Sequence, residues 1–324
     1  MRAAQLVELG RIECVEAPIP VPAAGELLVE SIVASVCGSD LHNVFKGLEP
    51  LSFPCPHGYP GHEGVGRVLE SRDPRFAEGD VVLLVPVPDV STCFAEVQAV
   101  PASQCVPLDG AARAEDLVLA QQLGTVIWAL KRFWPGGEPP RTATVVGAGS
   151  AGIMFTDVLA GMGTQRIVVT DPSPARLALA QAHGATHVAL ARSDAATTTT
   201  LEATDGLGAD LVVDASGHDS GRNDALGAVR VEGIVGLFGL PESAALARFD
   251  LHRVFLRLPT ILTTRSAQLE TGLASFREAI ARVADGRFDV AGLVTHRFGI
   301  EDIAEALRVA RERDGGAVKV SIAF

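Results

Sequence analysis

A chain of 324 residues, 48% hydrophobic and 20% charged, has material for about two packed domains and excludes a disordered protein. Its formal net charge of −12 argues against nucleic acid or an anionic membrane as partner. No apolar run approaches the roughly 20 residues of a membrane helix, and Glu8 and Arg11 interrupt any signal-peptide core. Cys14, Cys37, Cys55, Cys93 and Cys105 are too few and too scattered for a disulfide framework, so a cytoplasmic setting with reduced thiols is expected.

The first 110 or so residues read as β-rich, with strand-like runs at 27–33 and 81–85 between Pro/Gly turns. Two segments stand out there: Cys37-Gly38-Ser39-Asp40-Leu41-His42 and Gly61-His62-Glu63-Gly64-Val65-Gly66. A thiolate and an imidazole 25 residues apart, each in a tight glycine-bearing segment, can hold one divalent metal. Soft sulfur with imidazole nitrogen suits zinc better than calcium or magnesium. Cys55 and His57, set among Pro54, Pro56 and Pro60, read as a structured loop at a pocket mouth, and Cys14 and Cys105 as packing residues. Residues 114–133 predict a helix, which the run 134–140, rich in Pro and Gly, brings to an end.

From Thr142 strands alternate with helices: a strand at 143–146, a helix at 151–162, a second strand at 167–170, then a helix capped by Ser173, opened by Pro174 and closed by Gly184. Later strands lie at 211–213 and 233–238, and the rhythm predicts a doubly wound parallel sheet. Between the first strand and helix sits Gly147-Ala148-Gly149-Ser150-Ala151-Gly152, a dinucleotide fingerprint. Gly147 permits the sharp turn, Gly149 lets backbone approach a pyrophosphate at the helix N-terminus, and Gly152 allows close helix–strand packing. Asp171, 19 residues after Gly152, can bind ribose hydroxyls and would repel a 2′-phosphate, which predicts NAD over NADP. The tract 197–200, four threonines, reads as a loop, and His183 and His187 as structural or surface groups. Helices at 275–284 and 301–311 and a last strand at 318–322 close the chain. A metal that polarises an oxygen, together with a nucleotide that accepts a hydride, points to alcohol oxidation or carbonyl reduction.

With these motifs in this order, and with Gly79-Asp80-Val81-Val82, Leu293-Val294-Thr295-His296-Arg297-Phe298 and Asp314-Gly315-Gly316-Ala317-Val318-Lys319, the chain resembles the zinc-containing medium-chain dehydrogenase/reductase family of alcohol and sorbitol dehydrogenases over nearly its whole length. The resemblance implies an α/β chain: a GroES-like β-rich catalytic domain at 1–120, a Rossmann nucleotide domain at 121–270, and a C-terminal return to the catalytic domain at 271–324. It implies Cys37 and His62 as catalytic-zinc ligands, and Ser39 bonding the substrate oxygen and starting a proton relay through the nicotinamide ribose with His42 as exit. It further implies Asp40 orienting His62, and Glu63 beside the metal as a transient ligand.

Two departures from the family pattern matter. Where relatives carry a Cys or Glu ligand, the chain reads Ala120-Gln121-Gln122-Leu123-Gly124-Thr125-Val126, with Gln121 at the ligand position. A neutral amide is a poorer zinc ligand: affinity is lower, Glu63 completes the site, or the metal has been lost. The region 86–94, where relatives carry a four-cysteine lobe, holds Cys93 alone, so no structural zinc is expected. The leading expectation is an NAD-dependent, zinc-assisted dehydrogenase of a secondary alcohol or polyol-like substrate, working as a homodimer or homotetramer joined around 259–264. The alternative is a metal-free reductase of the same fold acting on a C=N or activated C=C bond. A nucleotide-binding protein without turnover is a third reading, against which the retained Ser39, Asp40 and His42 argue.

Overall fold

The computed structural model describes residues 1–47, 52–87, 91–110, 112–241 and 246–324. The chain divides into two compact units, Met1–Thr125 with Gln268–Phe324, and Val126–Ala267. The family resemblance implies boundaries at 120/121 and 270/271.

In the first unit, β1 (Arg2–Glu8) and β2 (Arg11–Glu16) form an antiparallel pair. They precede β3 (Glu26–Ser35), α1 (Gly38–Lys46), β4 (Gly64–Ser71), β5 (Val81–Leu84), β6 (Val97–Pro101), β7 (Cys105–Pro107), α2 (Ala114–Leu117) and α3 (Leu119–Phe133), the last of which runs on into the second unit after Thr125. The second unit strings together β8 (Thr142–Val146), α4 (Ser150–Met162), β9 (Arg166–Asp171), α5 (Pro174–Ala182), β10 (His187–Leu190) and α6 (Ala195–Ala203). It continues with β11 (Ala209–Asp214), α7 (Asp219–Ala228), β12 (Val229–Leu237), α8 (Leu251–Arg257) and β13 (Thr260–Thr263). The chain then returns to the first unit as α9 (Ala274–Ala284), β14 (Val294–Gly299), α10 (Ile303–Glu312) and β15 (Lys319–Ala323).

The second unit's sheet has the order β10-β9-β8-β11-β12-β13, every pair parallel, as the alternation of strands and helices predicts. All five residues of β8 are buried, the mark of a central parallel strand covered on both faces. The order reverses between β8 and β11, the switch point where such sheets bind ligands beyond their strand ends.

The first unit's sheet runs β14-β15-β3-β4-β5-β7, with β6 also on β3. Its core gathers Leu6, Leu27, Val29, Val68, Leu84 and Phe94 with Ile303, Leu307 and Ile322 of the returning segment. The register that positions the site is at β3: Ala34 faces Gly64 of β4 on one side and Ile322 of β15 on the other. The residues just before β4 and at the start of β15 therefore converge on the end of β3.

Three elements differ from the sequence reading. The predicted helix at 114–133 is two helices meeting at Val118. The four threonines belong to α6, not a loop. Thr200 is buried against Thr144 with hydroxyls 2.8 Å apart, and the amides of Ala196 and Thr197 donate to Asp224 at 2.8 Å. These tertiary partners outweigh the weak helix propensity of β-branched residues. The segment after Cys37, read only as tight and polar, is the helix α1. Asp40 accepts from the Cys37 amide at 2.8 Å in a capping box, and Gly47 ends the helix in the left-handed conformation.

Candidate active site

Cys37 caps α1, and Ser39, Asp40 and His42 occupy its first turns. His62 and Glu63 arrive on the loop before β4, which passes too close to its neighbours for side chains. A Cβ on Gly61 would lie 2.7 Å from Phe94, and one on Gly66, inside β4 itself, would lie 2.4 Å from Val29. The glycines thus let the loop pack down and bring His62 over α1.

Ligand atoms of Cys37, His62 and Glu63 all lie within 4.8 Å of one another. His62 Nδ1 is 2.8 Å from Asp40 Oδ1 and 3.3 Å from Pro60 O, which leaves Nε2 directed at the cluster, 3.3 Å from Ser39 Oγ. Asp40 is fully buried; burial pushes its carboxyl pKa up against the pull of His62. Burial disfavours charge on His62, but the Asp40 carboxylate and then Cys37 outweigh it and hold the imidazole well above its usual value. His42 Nδ1 lies 2.7 Å from Gly38 O, so that nitrogen carries the proton and Nε2 is the basic one.

Glu63 and Lys319 form a buried ion pair, Nζ to Oε2 at 2.6 Å, and Ser35 Oγ also donates to Oε2. Burial opposes both charges, but each partner outweighs it, so Glu63 stays below and Lys319 above its ordinary pKa. Glu63 Oε1 is buried with no hydrogen-bond partner. A thiol sulfur, an imidazole nitrogen held from behind by a carboxylate, and an orphaned carboxylate oxygen make a donor set that fits zinc.

Gln121, read from the sequence at a ligand position, is not the glutamine that faces Cys37. It is Gln122 whose Nε2 lies 3.9 Å from Cys37 Sγ, and Lys319 Nζ donates to its Oε1 at 3.3 Å. Adjacent residues on a helix are turned about 100° apart, so the register moves by one residue. Sequence reasoning also missed Lys319 and Ser35; the available signal was a lysine inside the apolar strand run Val318-Lys319-Val320. Cys55 lies in the hydrophobic core, outside the metal-ligating cluster, and burial pushes the thiols of Cys93 and Cys105 up, that of Cys105 to about 12. His183 is tied to Asp157 at 3.0 Å, and the exposed His187 contacts Thr186 at 2.9 Å. Residues 88–90 of the region expected to lack a structural zinc lie outside the described residues.

In the second unit Gly147, Gly149, Ser150, Ala151 and Gly152 form the turn into α4. Gly147 has φ +99°, and a Cβ on Gly152 would sit 1.8 Å from Gly147 O, so neither tolerates a side chain. Gly149 caps α4, with no side chain bonded to the helix's first amides and open space beside it. Asp171 closes the cradle, accepting from Ala148 N at 2.8 Å and from Ser173 N at 2.9 Å. A cavity of about 630 Å³ opens at the strand ends, bordered by Val146, Thr170, Arg192 and Gly221. An open glycine cradle with free helix amides and an adjacent carboxylate fits a dinucleotide.

Among the described residues, no helix is long and apolar enough to cross a membrane. The family model for the alcohol dehydrogenase GroES-like domain matches residues 23–111, and that for zinc-binding dehydrogenases matches residues 151–285. The 5-exo-hydroxycamphor dehydrogenase of Pseudomonas putida is 28% identical, over 96% of this chain and 95% of that enzyme. The L-threonine 3-dehydrogenase of Bacillus licheniformis is 26% identical, over 93% and 92%. In fold, the alcohol dehydrogenase of Thermus sp. ATN1 superposes with a TM-score of 0.83 at 23% identity, covering 100% of this chain and 99% of that one. The two domain models, in this order on a GroES-like unit and a Rossmann sheet, identify the chain as a member of the zinc-type medium-chain dehydrogenase/reductase family.

Proposed function

We propose that the chain is an NAD-dependent dehydrogenase that oxidises a secondary alcohol or polyol-like substrate, or reduces the corresponding carbonyl, with zinc at Cys37, His62 and Glu63. The observation that carries this reading is the meeting of these three ligating side chains beside the Ser39 hydroxyl. Relatives named as 5-exo-hydroxycamphor dehydrogenase, L-threonine 3-dehydrogenase and D-arabinitol dehydrogenase support the substrate class. When bound, zinc supplies a Lewis acid that polarises the substrate oxygen, and the nicotinamide supplies the hydride acceptor.

The chain's own residues do the rest. Asp40 holds His62 by Nδ1 and presents Nε2. Ser39, a hydroxyl that can both donate and accept, takes the substrate proton. His42, one helical turn on and so on the same face of α1, receives it at Nε2, a buried nitrogen, and passes it on outward. In the nucleotide unit the Gly147–Gly152 turn seats the pyrophosphate, and Asp171 bonds the adenosine ribose, which favours NAD over NADP. The assembly we infer is a dimer of nucleotide units. The edge strand β13 has one free side, and next to it α8 exposes Leu251, Phe255, Leu256 and the following Leu258, with Phe255 76% exposed.

The metal-free reductase reading retains one argument, the neutral Gln122 and cationic Lys319 where an anionic ligand is common. Turnover of NAD with a panel of secondary alcohols and polyols, alongside metal analysis of the same protein, separates the two. Alcohol oxidation that scales with bound zinc supports the proposal; reduction of imines or activated alkenes at undiminished rate without metal overturns it.

A further inference from the structure

None of the seven residues of α8 is buried, and Leu251, Phe255 and Leu256 are exposed. Half-buried Val254 packs on the core of the nucleotide unit. A helix this short does not hold in water by itself, so its place depends on what fastens it. The fastening is polar. Arg253 donates from Nη1 to Asn223 O of α7 at 2.8 Å, and from Nη2 to Asp194 Oδ1, at the start of α6, at 2.6 Å. Gly227 of α7 leaves room for this clasp, since a Cβ there would stand 2.9 Å from Arg253 Nη1. The segment that leads into α8 is tied to α7 as well. Arg248 N donates to Asp219 Oδ2 at 3.0 Å, Asn223 Nδ2 to Arg248 O at 3.1 Å, and Asp250 N to Asn223 Oδ1 at 2.7 Å.

The same residues wall the cavity at the strand ends. Arg248, Phe249, Asp250 and Arg253 border it from this segment, Asn223 from α7 and Asp194 from α6. Arg253 thus belongs both to the cavity wall and to the bonds that hold an apolar helix in place. The face that α8 presents suits a second copy of the chain. Strand β13 beside it has one unpaired edge, and a two-fold partner offers the same edge and the same apolar side chains in return.

We propose, resting on the NAD and dimer readings above, that nucleotide binding and pairing with a second copy are coupled through the Arg253 clasp, so that NAD tightens the dimer. A nucleotide seated against Arg248, Phe249 and Asp250 fixes the segment that leads into α8. A second copy that docks on α8 then pays less to order it. The two events favour each other, by the same factor in both directions.

The test is the strength of the dimer, measured on the full-length protein by sedimentation over a dilution series with and without saturating NAD. Where the dimer persists at every dilution, exchange of subunits between two dye-labelled samples takes its place, because affinity differences appear mainly in the off-rate. NAD should tighten the dimer, or slow exchange, by at least about fivefold. Arg253→Met should remove this dependence on NAD. Asp194→Gly cuts the same link from α6, at a φ of +55° that glycine adopts freely, and should do the same. Phe255→Asp should be monomeric and bind NAD at least about fivefold more weakly than the dimer by calorimetry, because the coupling is reciprocal. A dimer whose strength NAD leaves unchanged, or one that still responds to NAD in either clasp variant, overturns the proposal alone. Protein that binds NAD but stays monomeric at every concentration overturns the dimer reading, and protein that binds no NAD overturns the nucleotide reading, each taking the proposal with it.

Discussion

Lys319 at the start of β15 and Glu63 just before β4 meet across the end of β3, Nζ to Oε2 at 2.6 Å, with side-chain exposures of 1% and 0%. The sheet register produces the contact: Ser35 N donates to Glu63 O at 3.0 Å, and Val36 N to Val320 O at 2.9 Å. The last strand of the chain is thus tied to the loop that carries His62 and Glu63.

Breaking this pair from one side leaves a buried charge without its partner. Lys319→Met should destabilise the metal-stripped protein by about 3–5 kcal/mol, and adding Glu63→Gln should recover much of that loss. The pH dependence follows from the shifts. Glu63 is held below its ordinary 4.5, so its contribution is complete above that value and lost as pH falls through the lowered one. Lys319 is held above its ordinary 10.5, so its contribution is complete below that value and lost as pH rises through the raised one. Guanidinium unfolding across a pH series, compared with the double variant, should show a constant difference between those limits that shrinks outside them.

Two alanine substitutions in the glycine turn should separate folding from binding. At Gly152 a Cβ would stand 1.8 Å from Gly147 O, so Gly152→Ala should lower both the melting temperature and nucleotide affinity. At Gly149 nothing lies within 4 Å and φ is −67°, so Gly149→Ala should melt as the parent does yet bind NAD at least about tenfold more weakly, because the added methyl stands where a phosphate must approach. Equal NAD affinity of Gly149→Ala and the parent, by calorimetry, would place the dinucleotide elsewhere.

Asp171 should set the choice of nucleotide. The parent should bind NAD more tightly than NADP, and Asp171→Ala should weaken NAD by roughly 10- to 100-fold, the worth of hydrogen bonds to a charged group, while affecting NADP less. It should also lower the melting temperature, since it orphans the Ala148 amide. Equal affinities for the two nucleotides in the parent would contradict the assignment.

What the sequence made legible were features whose parts are neighbours along the chain. The fingerprint glycines, their strand and helix, and Asp171 fall within one βαβ unit, so spacing alone ordered them. Cys37 and His62 could be paired because glycines around each implied close packing. Contacts set by long-range register were not legible. Lys319 finds Glu63 only because β15 and β4 share β3 as neighbour. The difference between Gln121 and Gln122 is a matter of helical phase, which depends on how α3 starts after Val118. The threonines of α6 were misread because their partners Thr144 and Asp224 lie on other elements.

If His42 carries the proton outward, His42→Ala should slow alcohol oxidation most near neutral pH and progressively less as pH rises, because hydroxide then accepts the proton directly. The hydrogen bond from Nδ1 to Gly38 O, 2.7 Å, is lost in the same variant, so a melting curve controls for damage to α1. A loss of rate that is the same at every pH would assign His42 to packing.

The proposed function requires that hydride leave a carbinol carbon for the nicotinamide at Cys37, His62 and Glu63. Its most direct test is the fate of the label when a secondary alcohol deuterated at the carbinol carbon is turned over with unlabelled NAD. Deuterium should appear in the reduced nicotinamide, with transfer abolished in zinc-stripped protein and restored by one zinc per chain. Reduced cofactor without deuterium, or full transfer by the stripped protein, would contradict it.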